Sequence, residues 1–560
     1  MKLKNIIAAI GLSAMMTSCG FLDVEPQVIC SDTFYNTQEE ALYGLAGVYG
    51  VMSNEAFYGN YYSLMCSNVD DLCYFNRSTT SNYTNMYKHD ASATEVYSAW
   101  TEIYKGIRNA NAFMAAIPTT EFDKDGKLYK EARFLRAYYH FLLAQAWGDV
   151  PMRKEAVTTH DQIMCGVTPQ FEVLSWVAEE MEECVTLAGQ EIDNAPSRIN
   201  EYIVRGILAR VYLFMAGESV EGGNKKDFYQ KAMEHTLAVI SSGKFQLNPE
   251  YSQVFINMVS DEYDKEYNES MWEVDFLGHR ASAESWSNGR IGDLLGLQSS
   301  GASGYASFKC NFAYGQYDGS LKLWDLYWTE DRTEDEASLP ELTDKRHEWN
   351  MPPYNYAGRT STSLGINIPA STEKAPYIYD GKTAFDVPTT AQAVRNCGKW
   401  RREVEYEVVM DSKRLYTGIN FPILRYSDIL LMYAEASLEY RGTPSQDAYD
   451  CVKAVRDRAG VKTKDFAEYD PASFRQFVRN ERGRELCFEA IRKYDLIRWG
   501  IFVEAMKGYI KDSGDERWSK DVKATYAAEI GRAVQQKHIV LPVPSVELGV
   551  NTDLVQNPLW

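Results

Sequence analysis

Apolar residues recur at three- and four-residue steps in several long stretches of the chain. In the segment 127–152 these positions are Leu128, Ala132, Leu135, Tyr139, Leu142 and Ala146. This spacing places them on one face of an α-helix. Gly148 and Pro151 follow the last of them and predict where the helix ends.

Two further segments, 200–217 and 426–442, have the same period. Gly217 and Gly442 close them and are plausible helix C-caps. Small residues such as Gly206 alternate with large ones, which favours close helix approach and helix hairpins of the tetratricopeptide type. Further helical patterns cover 95–117, 171–189, 226–243, 445–459, 473–499 and 501–510.

The character of the chain changes between about 260 and 400. Gly, Ser, Pro and aromatic residues dominate there, and the helical period is almost lost. Long loops within a folded protein usually carry function or lack order. Because disordered segments are usually poor in aromatic residues, we interpret this insertion as functional.

The first twenty residues predict export. Lys2 and Lys4 precede an apolar run at 6–16, and two small residues then lead to Cys19. The run is too short to span a bilayer and is typical of a signal peptide. Its end resembles a bacterial lipobox, so residues 1–18 are predicted to be a lipoprotein signal and Cys19 the lipidated residue. An ordinary signal peptide with a chance cysteine is the alternative.

Composition narrows the class of protein further. The chain has 560 residues, 45% of them hydrophobic and 24% charged, which is typical of a soluble globular body. A formal net charge of −20 argues against nucleic acid as a partner, because phosphate binding needs basic patches. The ten cysteines show no metal-ligand spacing and are too sparse for a disulfide scaffold.

Motifs for known catalytic chemistry are absent from the sequence. It contains no HExxH, no G-x-S-x-G, no P-loop and no GxGxxG. We therefore name no catalytic residue, no cofactor and no metal ligand, and whether a metal ion supports the loops stays open. A glycosidase is not excluded by this, since its two carboxylates have no fixed sequence spacing.

A row of acids at 481–489 could in principle supply the two carboxylates of a glycosidase. Glu481, Glu485 and Glu489 stand four residues apart, which would place them on one helical face. Arginines and a lysine lie between and beyond them, and the spacings of Glu481–Arg484 and of 495–498 allow ion pairs. One helix face flanks a substrate poorly, so we interpret these charges as part of the scaffold.

Several segments together resemble one family. They are "FLDVEPQ" after the lipobox, "SDTFYNTQEEALYGLAGVY" (31–49), "WTEIYKGIRNANAF" (100–113), "EARFLRAYYHFLLAQAWGDVPM" (131–152), "FPILRYSDILLMYAEA" (421–436), "RELCFEAIRKYDLIRWG" (484–500) and the terminal "LPVPSVELGVNTDLVQNPLW" (541–560). They occur in the order found in the SusD/RagB family of outer-membrane nutrient-binding lipoproteins of Bacteroidetes, and they span nearly the whole chain.

The resemblance implies a mainly all-α fold in which tetratricopeptide-like helix pairs support a loop-rich face. It implies an N-terminal helical region at 19–260 and a C-terminal region at 261–560 that includes the insertion 260–400. It also implies a surface-exposed lipoprotein of the outer membrane, held there by its lipid anchor, that binds an oligosaccharide or polysaccharide. The implied partner is a SusC-like TonB-dependent transporter, to which the ligand is delivered without catalysis.

Family members place their ligand sites in loops after the first helices and in the central insertion. The matching segments here are 73–83 and about 284–328. Aromatic planes cover sugar faces, while Asn, Asp and Arg bind hydroxyls. The predicted glycan-binding residues are Tyr74, Asn76, Arg77, Trp286, Tyr305 and Tyr314. Trp100, Trp147, Trp272 and Trp499 lie in helical contexts and are predicted to be core, while Trp324 and Trp328 fit either role.

Two alternatives remain at this point. The same scaffold could bind peptides, as in the RagB branch of the family, although the aromatic-rich insertion favours sugar. A lipid-anchored all-α glycosidase or lyase would also be rich in tyrosine, but the ordered family segments argue against it.

Overall fold

A computed structural model describes most of the chain after the first 34 residues. The described ranges are 35–77, 83–159, 162–187, 196–278, 287, 289–299, 311–328, 343–352, 354–355, 375–376, 378–379, 382–383, 394–405, 416–518 and 522–560. Cys19, Trp286 and Tyr305 lie outside them. None of the helices in these ranges is long and apolar enough to cross a membrane.

The described chain is mainly α-helical, which confirms the predicted fold class. Its helices are α1 (Gln38–Tyr49), α2 (Thr94–Ala116), α3 (Lys127–Trp147), α4 (Gln170–Glu182), α5 (Glu201–Met215), α6 (Lys225–Ser241), α7 (Tyr251–Ser260), α8 (Ile291–Leu294), α9 (Leu321–Trp328), α10 (Lys345–Asn350), α11 (Tyr426–Arg441), α12 (Gln446–Arg458), α13 (Pro471–Leu486), α14 (Arg492–Arg498), α15 (Phe502–Asp512), α16 (Val522–Ala533) and α17 (Ser545–Val550).

Short antiparallel strands accompany the helices. They are β1 (Cys73–Phe75), β2 (Ser270–Val274), β3 (Tyr317–Gly319), β4 (Tyr354–Asn355), β5 (Ala375–Pro376), β6 (Ile378–Tyr379), β7 (Lys382–Thr383), β8 (Arg395–Asn396) and β9 (Phe421–Arg425). β1, β3 and β8 form one sheet in that order, and β2–β9, β4–β5 and β6–β7 form pairs.

Successive helices pack side by side in an array, as expected of tetratricopeptide-like pairs. α2 packs on α3, α3 on α4, α4 on α5 and α5 on α6. The array then continues from α6 directly to α11 and α12, although the long central segment separates them in sequence. Helices from both sides of residue 260 therefore build one array.

Local signals place the ends of these helices well. The N–H of Gly148 bonds to the Ala144 carbonyl and closes α3, and Gly442 closes α11 in the left-handed region, at φ 76°. α5 ends at Met215, two residues before the predicted cap Gly217. Gly206 in α5 permits close approach, because a Cβ there would lie 2.8 Å from Ile429 Cδ1.

The central segment leaves and rejoins the array through a pair of strands. β2 and β9 are antiparallel, with Val274 opposite Phe421. The chain therefore departs after Val274 and returns at Phe421 from adjacent positions.

Ionised residues are buried between the C-terminal helices. Glu481 is fully buried and accepts hydrogen bonds from Arg346, Arg456 and Arg484 at 2.7, 3.2 and 2.9 Å. Burial by itself would raise the pKa of Glu481, but the three guanidinium groups outweigh it and lower the pKa to about 2. The carboxylate therefore stays ionised and bound to the arginines at neutral pH.

The next two acids share a second group of cations. Glu485 accepts from Arg425 at 3.0 Å and from Arg458 at 2.7 Å. Glu489 accepts from Arg425 at 2.8 Å and from Lys399 at 2.7 Å. Arg425 thus bridges the two glutamates, and we name Glu481, Glu485, Glu489 and their cations the buried charge network.

Both ion pairs expected from spacing are present. Arg484 lies 2.9 Å from Glu481, and Arg498 lies 2.7 Å from Asp495. The described geometry therefore assigns these charges to the framework, as the sequence interpretation had it.

The single helix predicted over 473–499 is wrong, because the chain breaks between α13 and α14. Phe488 and Ala490 have φ of 66° and 57°, which no right-handed helix accommodates. Buried groups bind the carbonyls that the break leaves free: Lys399 donates to Cys487 O at 2.8 Å, and Trp400 donates to Phe488 O at 3.0 Å. Glu489 consequently lies beyond the helix that carries the other two acids.

Candidate functional site

A small sheet joins the two segments in which the sequence predicts ligand binding. β1, from the first segment, pairs with β3 of the insertion, with Cys73 opposite Gly319 and Phe75 opposite Tyr317. β8 covers the other edge of β3. Residues more than 200 positions apart in the sequence therefore become neighbours at one rim of the helical array.

The carboxylate of Asp318 holds this sheet together from within. It is fully buried on β3 and accepts hydrogen bonds from the amides of Asn76 and Asn396, both at 2.6 Å. Lys523 of α16 reaches its other oxygen at 2.8 Å. Each of the three strand segments, and one C-terminal helix, is thus fixed to a single carboxylate.

Two of the predicted glycan contacts belong to this internal support. Tyr74 is 0% exposed and packs its ring edge-to-face on Trp518, at 5.2 Å. Asn76 is 2% exposed, and its amide group donates hydrogen bonds to the Asp318 carboxylate and the Gly315 carbonyl. Since neither side chain offers surface to a ligand in this conformation, we reassign both from glycan contact to positioning of the loop.

A tight turn presents the next predicted residue, Tyr314. The Tyr314 N–H bonds to the Asp293 carboxylate at 3.2 Å, and the Gly315 N–H bonds to the Asp293 carbonyl at 3.0 Å. Gly315 has φ 55°, and a Cβ on it would lie 2.7 Å from the Gln298 nitrogen. Only glycine fits this turn without strain, so the backbone at Tyr314 is held firmly while its ring stays 39% exposed.

The side chain of Arg77 contacts the backbone of Tyr314. The Arg77 guanidinium donates to the Tyr314 carbonyl at 2.7 Å. Phe312 packs edge-to-face against the Tyr314 ring at 4.8 Å. We name Arg77, Phe312 and Tyr314 the aromatic rim. It combines a ring that a sugar face can cover with a cation that has further N–H groups for hydroxyls.

The tryptophans near the rim are mainly structural. Trp324 is buried on α9, stacks on Trp328 at 5.4 Å and lies edge-on to His347 at 4.9 Å. Trp328 donates its indole N–H to His347 at 3.3 Å. Burial, aided by the nearby Arg395, lowers the pKa of His347 to about 3, so the imidazole is a neutral acceptor.

The four tryptophans predicted as core are all buried. They are Trp100, Trp147, Trp272 and Trp499.

A separate groove of about 720 Å³ runs between α2 and residues 151–157, with Ile163 also in its lining. Trp100 and Tyr104 line its apolar part, and Arg108 lies at its surface. Asn111 fixes the far wall through hydrogen bonds of 3.0 Å to two backbone carbonyls. This groove is a second concave surface with an aromatic lining, and the sequence analysis did not single it out.

The sequence analysis also missed Phe312 and Asp318. Phe312 occurs in an aromatic-rich stretch that gives no hint of which ring faces outward. Asp318 could have been noticed as an acid inside "GQYDG", but its burial depends on β1 and β8, far away in sequence. The predicted Trp286 and Tyr305 lie outside the described residues, so their roles remain predictions.

Known proteins resemble this chain along nearly its whole length. A SusD-like protein, P25, of Formosa agariphila is 25% identical over 100% of this chain and 98% of its own. A SusD homologue of Bacteroides thetaiotaomicron superposes with a TM-score of 0.81 at 24% identity, covering 95% of this chain and 98% of its own. Surface glycan-binding protein A of Bacteroides fluxus has a TM-score of 0.68 at 19% identity, covering 94% and 100%.

Two family models match the sequence. One, described as starch-binding and associating with the outer membrane, matches residues 20–213. The other, described as the SusD family, matches residues 268–560, which is more than half of the chain. The predicted membership is confirmed: this chain belongs to the SusD family.

Proposed function

We propose that the protein is a cell-surface lipoprotein that captures an oligosaccharide or polysaccharide without altering it. It then delivers the ligand to a SusC-like TonB-dependent transporter in the outer membrane, to which Cys19 anchors it through acyl chains. The description of the matching family model, starch-binding and associating with the outer membrane, supports this role. So does the glycan-binding name of a structural neighbour.

The aromatic rim is the observation that carries the proposal. Its exposed ring and its guanidinium come from two distant segments, and a buried carboxylate and a tight glycine turn fix them in place. A pre-organised surface of this kind binds sugar without large ordering costs. Trp286 and Tyr305 are proposed as further glycan contacts.

Binding without catalysis is consistent with the state of the acids. Glu481, Glu485 and Glu489 are buried and bonded to cations, and the low pKa of Glu481 makes it useless as a proton donor at neutral pH. A glycosidase needs one protonated and one ionised carboxyl on opposite sides of the bond. The buried charge network provides no such pair.

Calorimetric titration against host and plant glycans, with a peptide pool alongside, tests the proposal. The variants Arg77→Ala and Tyr314→Ala remove the two exposed parts of the rim, and Tyr43→Ala removes an exposed tyrosine on α1 as the matched control. A charged hydrogen bond is worth about 1.5–3 kcal/mol and an aromatic contact about 0.5–1.5 kcal/mol. We expect each rim variant to weaken binding at least about twofold, and the double variant at least about tenfold.

The same samples are then assayed for new reducing ends. Saturable glycan binding that depends on the rim, with no new ends, supports capture without catalysis. New reducing ends would refute the non-catalytic part, and binding of peptides alone would favour the RagB-like alternative. If Tyr104→Ala abolished glycan binding while Arg77→Ala and Tyr314→Ala bound normally, the glycan site would be assigned to the groove beside α2 instead of the aromatic rim.

A further inference from the structure

A cleft between α1 and the end of β2 contains two acidic side chains without a cationic partner in the part of the chain that the structure describes. Its volume is about 410 Å³. One wall is apolar and is formed by Leu42, Leu45 and Met52. The opposite wall carries two carboxyl groups, Glu273 on β2 and Asp275 just after it. The cleft is open, and Leu42 at its edge is 38% exposed.

Neither carboxyl group has a cationic partner among the described residues. Glu273 is 3% exposed, and its Oε2 has no hydrogen-bond partner. Asp275 Oδ1 is buried and likewise unpartnered. Arg198 also lines the cleft, but its guanidinium is bound to Glu131 at 2.7 and 3.2 Å.

The surroundings of the two acids are neutral or negative. Burial, together with Asp275 and Asp261, raises the pKa of Glu273 to about 8, against a lowering by the neighbouring Ser270 and Asn420 side chains. Burial, together with Asp261, raises the pKa of Asp275 to about 7, against a lowering by the Tyr263 hydroxyl. α1 contributes Tyr49, whose hydroxyl is bound to Glu131 at 2.7 Å. Apart from Arg198, which is bound to Glu131, the described lining of the cleft supplies no cation to the two acids.

Neutral polar groups beside Glu273 are also left without partners. Neither atom of the Asn420 amide, which is fully buried, makes a hydrogen bond of good geometry, and neither does the Ser270 hydroxyl. Both residues lie within reach of the Glu273 carboxyl but outside the lining of the cleft. Buried polar groups in folded proteins are nearly always satisfied. The unpartnered Glu273 Oε2 and Asp275 Oδ1, which belong to lining residues, therefore indicate that a group bound in the cleft supplies their partners.

We propose that this cleft binds the protonated side chain of a lysine from a polypeptide. An ammonium group brings one positive charge and three donors, which matches two carboxyl groups and a set of unpaired oxygens. The four-carbon stem would lie along Leu42, Leu45 and Met52, as lysine stems do on apolar surfaces. A metal ion fits less well, since no three His, Cys, Asp or Glu side chains within the described ranges are placed to hold one. This site is additional to the glycan-binding role.

Binding is coupled to release of protons from the cleft. At pH 6 both carboxyls are protonated, and they must ionise to hold the ammonium group. With pKa values of about 8 for Glu273 and about 7 for Asp275, affinity rises by roughly two to three orders of magnitude between pH 6 and 8.5. The lysine itself stays charged over this range, since its ordinary pKa is about 10.4.

The test uses the full-length protein and the tripeptide acetyl-Gly-Lys-Gly-amide, titrated by calorimetry at pH 6 and pH 8.5. The same peptide with norleucine in place of lysine keeps the stem and removes the charge. Glu273→Gln removes one carboxylate with almost no change in shape, and Glu262→Gln, exposed on the nearby segment, is its control. Thermal unfolding of each variant verifies that it folds.

We expect the lysine peptide to bind at pH 8.5, to bind at least tenfold more weakly at pH 6, and to release one to two protons at pH 6. Glu273→Gln should weaken binding at least tenfold and Glu262→Gln less than twofold. Equal binding of the norleucine peptide, an affinity independent of pH, or no saturable binding at pH 8.5 would overturn the proposal. Displacement of the peptide by calcium or by a neutral oligosaccharide, sensitive to Glu273→Gln, would overturn it in favour of that ligand.

Discussion

Replacing Arg425 by methionine tests whether the buried charge network supports the C-terminal framework. Arg425 is 1% exposed and donates five hydrogen bonds. They reach Glu489 at 2.8 and 2.9 Å, Glu269 at 2.9 Å, and both the side chain and the carbonyl of Glu485 at 3.0 Å. Methionine fills much of the same space but supplies neither charge nor donors.

The expected cost follows from what the change leaves behind. Removing one partner of a buried ion pair costs about 3–5 kcal/mol, because the remaining charge stays out of water without compensation. The glutamates keep some support, since Lys399 still reaches Glu489 and Arg458 still reaches Glu485 and Glu269. We therefore expect Arg425→Met to lower the free energy of unfolding by about 3–5 kcal/mol rather than by the sum of all five bonds.

Arg441→Met is the matched control. Arg441 pairs with Asp447 at 3.1 Å, and both side chains are more than a third exposed. Exposed pairs contribute about 0.2–1 kcal/mol, so this change should cost less than about 1 kcal/mol. Urea unfolding followed by tryptophan fluorescence and by circular dichroism gives both values, provided that the two probes report the same transition. Costs for the two variants within about 1 kcal/mol of each other would refute the reasoning.

Three further outcomes follow from the structure. Glu481 has a pKa of about 2 against an ordinary 4.5, so its stabilisation of the fold is complete above about pH 4.5 and is lost as the pH falls towards 2. The loss amounts to about 3 kcal/mol of unfolding free energy. Glu481→Gln should flatten this decline. The raised pKa of Glu273, about 8, works in the opposite sense, because its stabilisation is complete below about pH 4.5 and is lost as the pH rises to 8. Glu273→Gln should therefore raise the melting temperature more at pH 8 than at pH 5, and an equal change at both would contradict this. Gly206→Ala should lower the free energy of unfolding by about 1–3 kcal/mol, because its methyl group would meet Leu424. Gly508→Ala should raise it by about 0.5–1 kcal/mol in the same denaturation assay, because the space around this position in α15 is open.

The helices could be predicted where a clear apolar period is followed by a residue that ends a helix. α3 and α11 have a clear apolar period and end at glycines, and both lie where expected. The break before Glu489 was missed for a physical reason. Its freed carbonyls are bound by Lys399 and Trp400, which approach from a different part of the chain. A local pattern contains no information about such distant donors.

In the candidate site, too, local sequence patterns predict some features while contacts between distant segments decide others. The two segments predicted to hold the ligand site pair in one sheet, and Arg77 contacts Tyr314, while their role in ligand binding stays a prediction. Tyr74 and Asn76 look equally suited to a ligand when only residue type is considered. Their burial follows from the pairing of β1 with β3 and from the hub at Asp318, contacts that span more than 200 residues. Exposure is a tertiary property, so residue type alone could not separate contacts from supports.

The pairing of β2 with β9 has a consequence for how the inserted segment can be exchanged between relatives. The segment begins and ends on neighbouring strands, so its two ends are only about 5 Å apart, and a replacement of different length can close on the same base. The segment also supplies Arg346 and Lys399 to Glu481 and Glu489 of the buried charge network. Chimeras that exchange 275–420 should therefore keep the stability of the parent only where the donor segment brings cations to the same two glutamates. Chain closure leaves the length of the segment free, whereas the buried charges restrict its sequence.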